Sequence, residues 1–113
     1  MIKLVETLKR KEGITHEEFV EYWKKIHGPI IAKNIPYLKR YVQDYPVTLA
    51  GGREAPYDGI AELWFEDVES WQKSVVWYRS PESKIVSDSE AKFVDKSKIT
   101  RLLCTELEVQ VKG

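Results

Sequence analysis

Ile14-Thr15-His16-Glu17-Glu18-Phe19-Val20-Glu21-Tyr22-Trp23-Lys24-Lys25-Ile26-His27-Gly28-Pro29-Ile30 contains a helix start, an apolar helix face and a helix breaker in one run. Thr15 followed three residues later by Glu18 is a capping box: the hydroxyl accepts from the Glu18 amide while the Glu18 carboxylate reaches back. Phe19, Tyr22, Trp23, Ile26 and Ile30 recur at spacings of three and four and so share one face. Pro29 has no amide hydrogen and disfavours helical geometry at Gly28, which predicts a stop or kink there, with carbonyls near His27 left free.

The flanking segments read as strands. Residues 2–10 place Ile2, Leu4, Glu6 and Leu8 against Lys3, Val5, Thr7 and Lys9, the period of two that a strand requires, and Lys11-Glu12-Gly13 ends it. Residues 37–45 give a second strand, with Tyr41, Gln43 and Tyr45 opposite Arg40, Val42 and Asp44. A loop with Gly51-Gly52 runs from Pro46 to Tyr57. Residues 58–66 form a third strand that divides Ile60, Glu62 and Trp64 from Ala61, Leu63 and Phe65. Asp67 caps a helix carrying Val68, Trp71, Val75 and Tyr78, and Ser80-Pro81 starts a further helical stretch through Ile85, Asp88 and Phe93. Residues 98–111 are the fourth strand.

The order β-α-β-β-α-β defines an α+β, ferredoxin-like domain over residues 1–113, an antiparallel sheet with helices on one face. Neither side of the strands is uniformly polar, so a second copy is expected on the other face. Two sheets packed in this way form a dimeric α+β barrel whose apolar interior can hold a small molecule.

Composition narrows the function. The 113 residues carry 18 Lys+Arg and 18 Asp+Glu, and a net charge of zero is the wrong surface for neutralising phosphates, so nucleic acid is not an expected partner. No stretch approaches the roughly 20 apolar residues of a membrane span. The first residues lack the order of a signal peptide and Cys104 has no intrachain partner, which points to a reducing cytoplasm. His16, His27 and Cys104 are too few to close a structural zinc site, so no metal is expected. No phosphate-cradling loop or nucleophile elbow is present, which leaves general acid/base work or simple binding.

Ile14 to Trp23, together with Ile26-His27-Gly28-Pro29-Ile30, resembles the EthD family of dimeric α+β barrels. Leu38-Lys39-Arg40-Tyr41-Val42-Gln43, Asp58 to Phe65 and Asp88-Ser89-Glu90-Ala91-Lys92-Phe93 extend the resemblance over most of the chain. The resemblance implies the homodimer and a range of functions, among them cofactor-free muconolactone-type methylisomerases and polyketide dehydratases or cyclases. The methylisomerases use a His and a Tyr, and the matching positions are His27 and Tyr41. Their pocket cysteines have no counterpart, since Cys104 lies in the last strand.

His27 is the expected catalytic base, being a side chain that changes charge near neutral pH; its plainer role is to cap a helix end. Tyr41 is the expected acid or oxyanion donor; otherwise it is a strand aromatic. Glu6 and Glu62 interrupt apolar alternation on strands read as parallel neighbours, which would let them form a carboxylate pair facing one cavity, unless each meets a Lys or Arg. Asp88 is expected to hold a backbone group or the His27 ring, with ordinary helix-face polarity as its alternative. Tyr22, Trp23 and Trp64 are candidate substrate contacts, with the core as their alternative.

The function expected is a cofactor-independent isomerase or lyase acting on a small hydrophobic or aromatic carbonyl compound, such as a lactone or polyketide intermediate. The alternative is a non-catalytic ligand-binding or accessory protein. A further option is a cofactor-free monooxygenase or haem-handling protein with His27 as the axial ligand.

Overall fold

The computed structural model describes residues 1–113, and the period-two segments become strands β1 (Ile2–Leu8), β2 (Leu38–Asp44), β3 (Gly59–Phe65) and β4 (Thr100–Cys104). They form one antiparallel sheet in the order β2-β3-β1-β4. The helices are α1 (His16–Tyr22), α2 (Gly28–Asn34), α3 (Val68–Tyr78) and α4 (Lys84–Ala91).

Register determines what each sheet face carries, because residues directly opposite across an antiparallel pair project to the same side. Leu4 pairs with Leu63 and Leu103, Glu6 with Ala61 and Arg101, and Tyr41 with Leu63. This side packs under the helices, where Phe19, Trp23, Ile31, Val86 and Phe93 meet Leu8, Ala61, Leu63 and Phe65 in the core. The other side carries Lys3, Val5, Ile60, Glu62, Trp64 and Leu102, with no helix over it.

The expected capping box is present: Thr15 Oγ1 accepts from the Glu18 amide and Glu18 Oε1 from the Thr15 amide, each at 3.0 Å. Of the stop or kink expected at Gly28-Pro29, the stop does not occur, and the helix changes type there. A five-residue π-helical segment, Trp23–His27, joins α1 to α2, and the Gly28 amide donates to Trp23 O. The wider turn places Pro29 in the first turn of α2, where a missing N–H costs least. Gly28 is required by close approach, since a Cβ there would lie 2.8 Å from Gln43 Nε2 and 3.0 Å from Trp23 O.

Asp67 caps α3 by accepting from the Ser70 amide at 2.8 Å, and a 3-10 turn at Pro81–Ser83 leads into α4. The fourth strand is shorter than residues 98–111. Cys104 pairs with Lys3, which leaves only Met1 and Ile2 ahead of it, too little chain to pair with residues out to Val111.

The end of β1 is tied to the helical layer through Asp58, which is 2% exposed. It accepts from the Arg10 amide at 2.7 Å and the Arg10 guanidinium at 2.6 Å, and lies 2.8 Å from His16 Nδ1. Burial alone would raise its pKa, but these donors hold it below the ordinary aspartate value.

Candidate functional site

His27 closes the π-helical segment and is 5% exposed. Its Nδ1 lies 2.8 Å from Ser89 Oγ on α4, and the same oxygen lies 3.0 Å from the Tyr22 hydroxyl. The ring packs 4.8 Å from the Phe93 ring, centroid to centroid. Burial depresses its pKa to about 4, so the imidazole is neutral at neutral pH and can accept a proton. Burial outweighs the pull of a helix end, which would favour the imidazolium.

Tyr41 projects from β2 to the helix side of the sheet. Its hydroxyl oxygen accepts from Trp23 Nε1 at 3.0 Å and Gln43 Nε2 at 3.2 Å. Gln43 is itself oriented, donating to Trp23 O at 3.0 Å and accepting from the Tyr45 hydroxyl. Burial outweighs these hydrogen bonds and pushes the phenol up to about 12. With its oxygen taken by two donors, the Tyr41 hydroxyl has its own proton to give.

Both residues line a narrow cleft of about 20 Å³. Glu6, Leu63, Tyr78 and Glu90 wall this cleft and also a cavity of about 500 Å³ between the sheet and α3, lined further by Leu4, Phe65, Trp71, Val75 and Leu103. This cavity lies within one chain, on the helix side of the sheet. The face expected to meet a second copy is the other one.

Several candidates fall elsewhere. β1 and β3 are antiparallel neighbours, not parallel, and Glu6 pairs with Ala61 while Val5 pairs with Glu62. One residue of offset sends the two carboxylates to opposite faces, so they form no pair. Glu6 faces the cavity and is held by Arg101 Nε at 2.7 Å. Glu62 lies on the uncovered face with Lys3 Nζ at 3.3 Å. Trp64 shares that face, with Lys3 Nζ 4.8 Å and the Arg40 guanidinium 5.3 Å from its ring, so neither Glu62 nor Trp64 reaches His27. Asp88 does not hold the His27 ring; it pairs with Lys84 at 2.6 Å on the outer side of α4. Trp23 is wholly buried, yet it lines the His27–Tyr41 cleft and donates its ring N–H to the Tyr41 hydroxyl.

Ser89, Gln43, Glu90, Tyr78 and Arg101 were not legible as site residues from the strand and helix pattern. A signal for Ser89 does exist: Val86, Ser89 and Phe93 are spaced by three and four and form the buried stripe here, which turns Asp88 outward. Arg101 needed the β1–β4 register. No group of three His, Cys, Asp or Glu side chains is placed to share a metal ion.

An EthD domain matches residues 11–97 of the chain. No curated protein matches it. Among solved structures, an EthD family protein from Bacillus halodurans is similar with a TM-score of 0.71 and 25% identity, over 95% of this chain and 99% of that one. A dimeric ferredoxin-like protein of unknown function from Thermobifida fusca is similar with a TM-score of 0.62 and 13% identity, over 93% of this chain and 90% of its own. SnoaB, a cofactor-independent oxygenase from Streptomyces nogalater, gives a TM-score of 0.59 at 12% identity, over 98% of this chain and 97% of that one. The last two likenesses concern the fold.

Proposed function

The chain belongs to the EthD domain family, and from that premise we propose that it is a cofactor-independent enzyme moving protons on a small hydrophobic or aromatic carbonyl compound, such as a lactone or polyketide intermediate. Isomerisation, dehydration and cyclisation share a first step: removal of a proton from carbon beside a carbonyl. Neutral His27 accepts that proton, and the Tyr41 hydroxyl donates a hydrogen bond to the oxygen on which charge develops. The observation that carries the reading is that this acceptor and this oriented donor line one cleft whose walls continue into the apolar cavity. The likeness to an oxygenase named as cofactor-independent supports chemistry done by side chains alone on this fold.

Deuterium incorporation next to the carbonyl of β-tetralone, followed by NMR, tests the proposal. Wild type is expected to exchange faster than buffer, and His27→Gln to lose roughly 10²-fold or more of that rate. An H27Q protein exchanging as fast as wild type would refute it.

One feature favours a second reading, a non-catalytic ligand carrier: the cavity is far larger than the cleft, so an apolar ligand can be held without touching His27. A carrier would bind ligand with no exchange above the buffer rate.

The protein acts as a homodimer in a reducing cytoplasm, where Cys104 stays a thiol. Dimerisation through the uncovered sheet face is supported by the dimeric state of the Thermobifida fusca protein and by Ile60 and Leu102, apolar side chains left exposed on that face.

A further inference from the structure

Two carboxyl groups wall both the cleft and the larger cavity, and they are not equivalent. Glu6 is neutralised by Arg101 at 2.7 Å. Glu90, on α4 one residue beyond Ser89, makes no side-chain hydrogen bond or ion pair within the chain, although it stands between the His27–Tyr41 cleft and the apolar space under α3. Burial and the nearby Glu6 carboxylate raise its pKa above the ordinary glutamate value, against the weaker opposing pull of Lys96 and Arg101. Glu90 and Tyr41 line the same cleft, so a carboxyl there, in its protonated form, would add a second hydrogen-bond donor for an oxyanion.

We propose that Glu90, as the carboxylic acid, is a catalytic residue that donates a hydrogen bond alongside Tyr41 to the oxygen of an enolisable cyclic or aromatic ketone lying across the cleft and cavity. The assignment rests on the acid/base reading of His27. The C–H bond beside the carbonyl breaks, its proton passes to the His27 ring, and the electron pair delocalises onto the carbonyl oxygen. Tyr41 and Glu90 donate without being consumed, and the imidazolium exchanges its proton with solvent before a solvent-derived proton is returned from it to carbon.

The pH profile distinguishes this role from a merely structural one. The groups facing Glu90 are Glu6 on β1, Tyr41 on β2, Arg101 on β4, Tyr78 and Arg79 on α3, His27, and Lys96 in the turn after α4. Ionisation of Glu90 removes a donor, so exchange should fall on the alkaline side of its titration.

Deuterium exchange into β-tetralone and binding of β-naphthol, a stable enolate mimic, are measured for wild type, H27Q, E90Q and E90L between about pH 5 and 9, with circular dichroism to check folding. E90Q keeps a donor: its rate at neutral pH stays within about tenfold of wild type, and the alkaline limb disappears. E90L loses about 10²-fold or more in exchange, with weakened β-naphthol binding. Should E90L fail to fold, the limb in E90Q decides. E90L exchanging and binding like wild type, or E90Q retaining the limb, overturns the role of Glu90 alone, provided that H27Q has lost exchange. Wild type without exchange, or H27Q exchanging normally, overturns the acid/base reading and this proposal together.

Discussion

His27 shows how burial settles a charge that sequence leaves open. A histidine near a helix end would be stabilised as imidazolium by the dipole, but the ring sits in the core against Phe93 and Ser89, and desolvation lowers its pKa from 6.5 to about 4. The folded state therefore binds fewer protons than the unfolded chain between these values, and stability falls as pH drops through that window. For this residue the loss at about pH 4.5 relative to neutral pH is expected to be on the order of 2 to 3 kcal/mol. Denaturant titrations at the two pH values should show it, and H27Q should flatten the dependence. Ser89→Ala should cost about 1–2 kcal/mol by leaving His27 Nδ1 and the Tyr22 hydroxyl without their shared partner. Urea unfolding of S89A and of the S89A/Y22F double variant measures that cost and its coupling.

At the scale of elements, the π-helical segment and the Asp58 clamp position the site. The extra residue in the turn absorbs Pro29, and it aims Trp23 O at Gln43, which in turn orients Tyr41. Gly28→Ala forces a methyl into that contact and should destabilise the protein by about 1–3 kcal/mol. The same variant should slow exchange by displacing Gln43, which thermal unfolding and the β-tetralone assay would report together. Asp58 joins β1, β3 and α1 through Arg10 and His16. Its pKa is lowered on folding, so its contribution is present above the ordinary aspartate value and disappears as pH falls through the folded value. Asp58→Asn should cost about 1–3 kcal/mol at neutral pH because it removes the buried charge that accepts from the Arg10 amide and guanidinium, while Glu54 stays 3.0 Å from the guanidinium. A denaturant midpoint unchanged by D58N would show that the clamp contributes nothing.

The whole molecule has two differently used sheet faces. One is sealed by helices and holds the cavity; the other carries Trp64, Ile60 and Leu102, with Leu102 65% exposed in the single chain. Leu107, Val109 and Val111 beyond β4 are exposed as well. A second copy on the uncovered face would bury Ile60 and Leu102. Leu102→Glu should leave the fold of one chain intact and weaken association by about 10²-fold or more, because a carboxylate would enter an apolar interface. Sedimentation equilibrium of wild type and L102E checks this, and a wild type that is monomeric at high concentration would remove the dimer.

Local interactions and periodicity were sufficient for the element order, the capping box at Thr15, the cap at Asp67 and the broken second helical region, since each depends on residues within a few positions of one another. They also singled out His27 and Tyr41, through spacing and resemblance. What they could not supply was anything that depends on register or on helix rotation. A one-residue offset between β1 and β3 separated Glu6 from Glu62, the turn of α4 exchanged Asp88 for Ser89, and the π-helical segment carried the chain past Pro29. The charge state of His27, the partners of Tyr41 and the place of Glu90 between cleft and cavity arise only when segments distant in sequence exclude water from one another. Desolvation and hydrogen-bond geometry belong to the packed molecule.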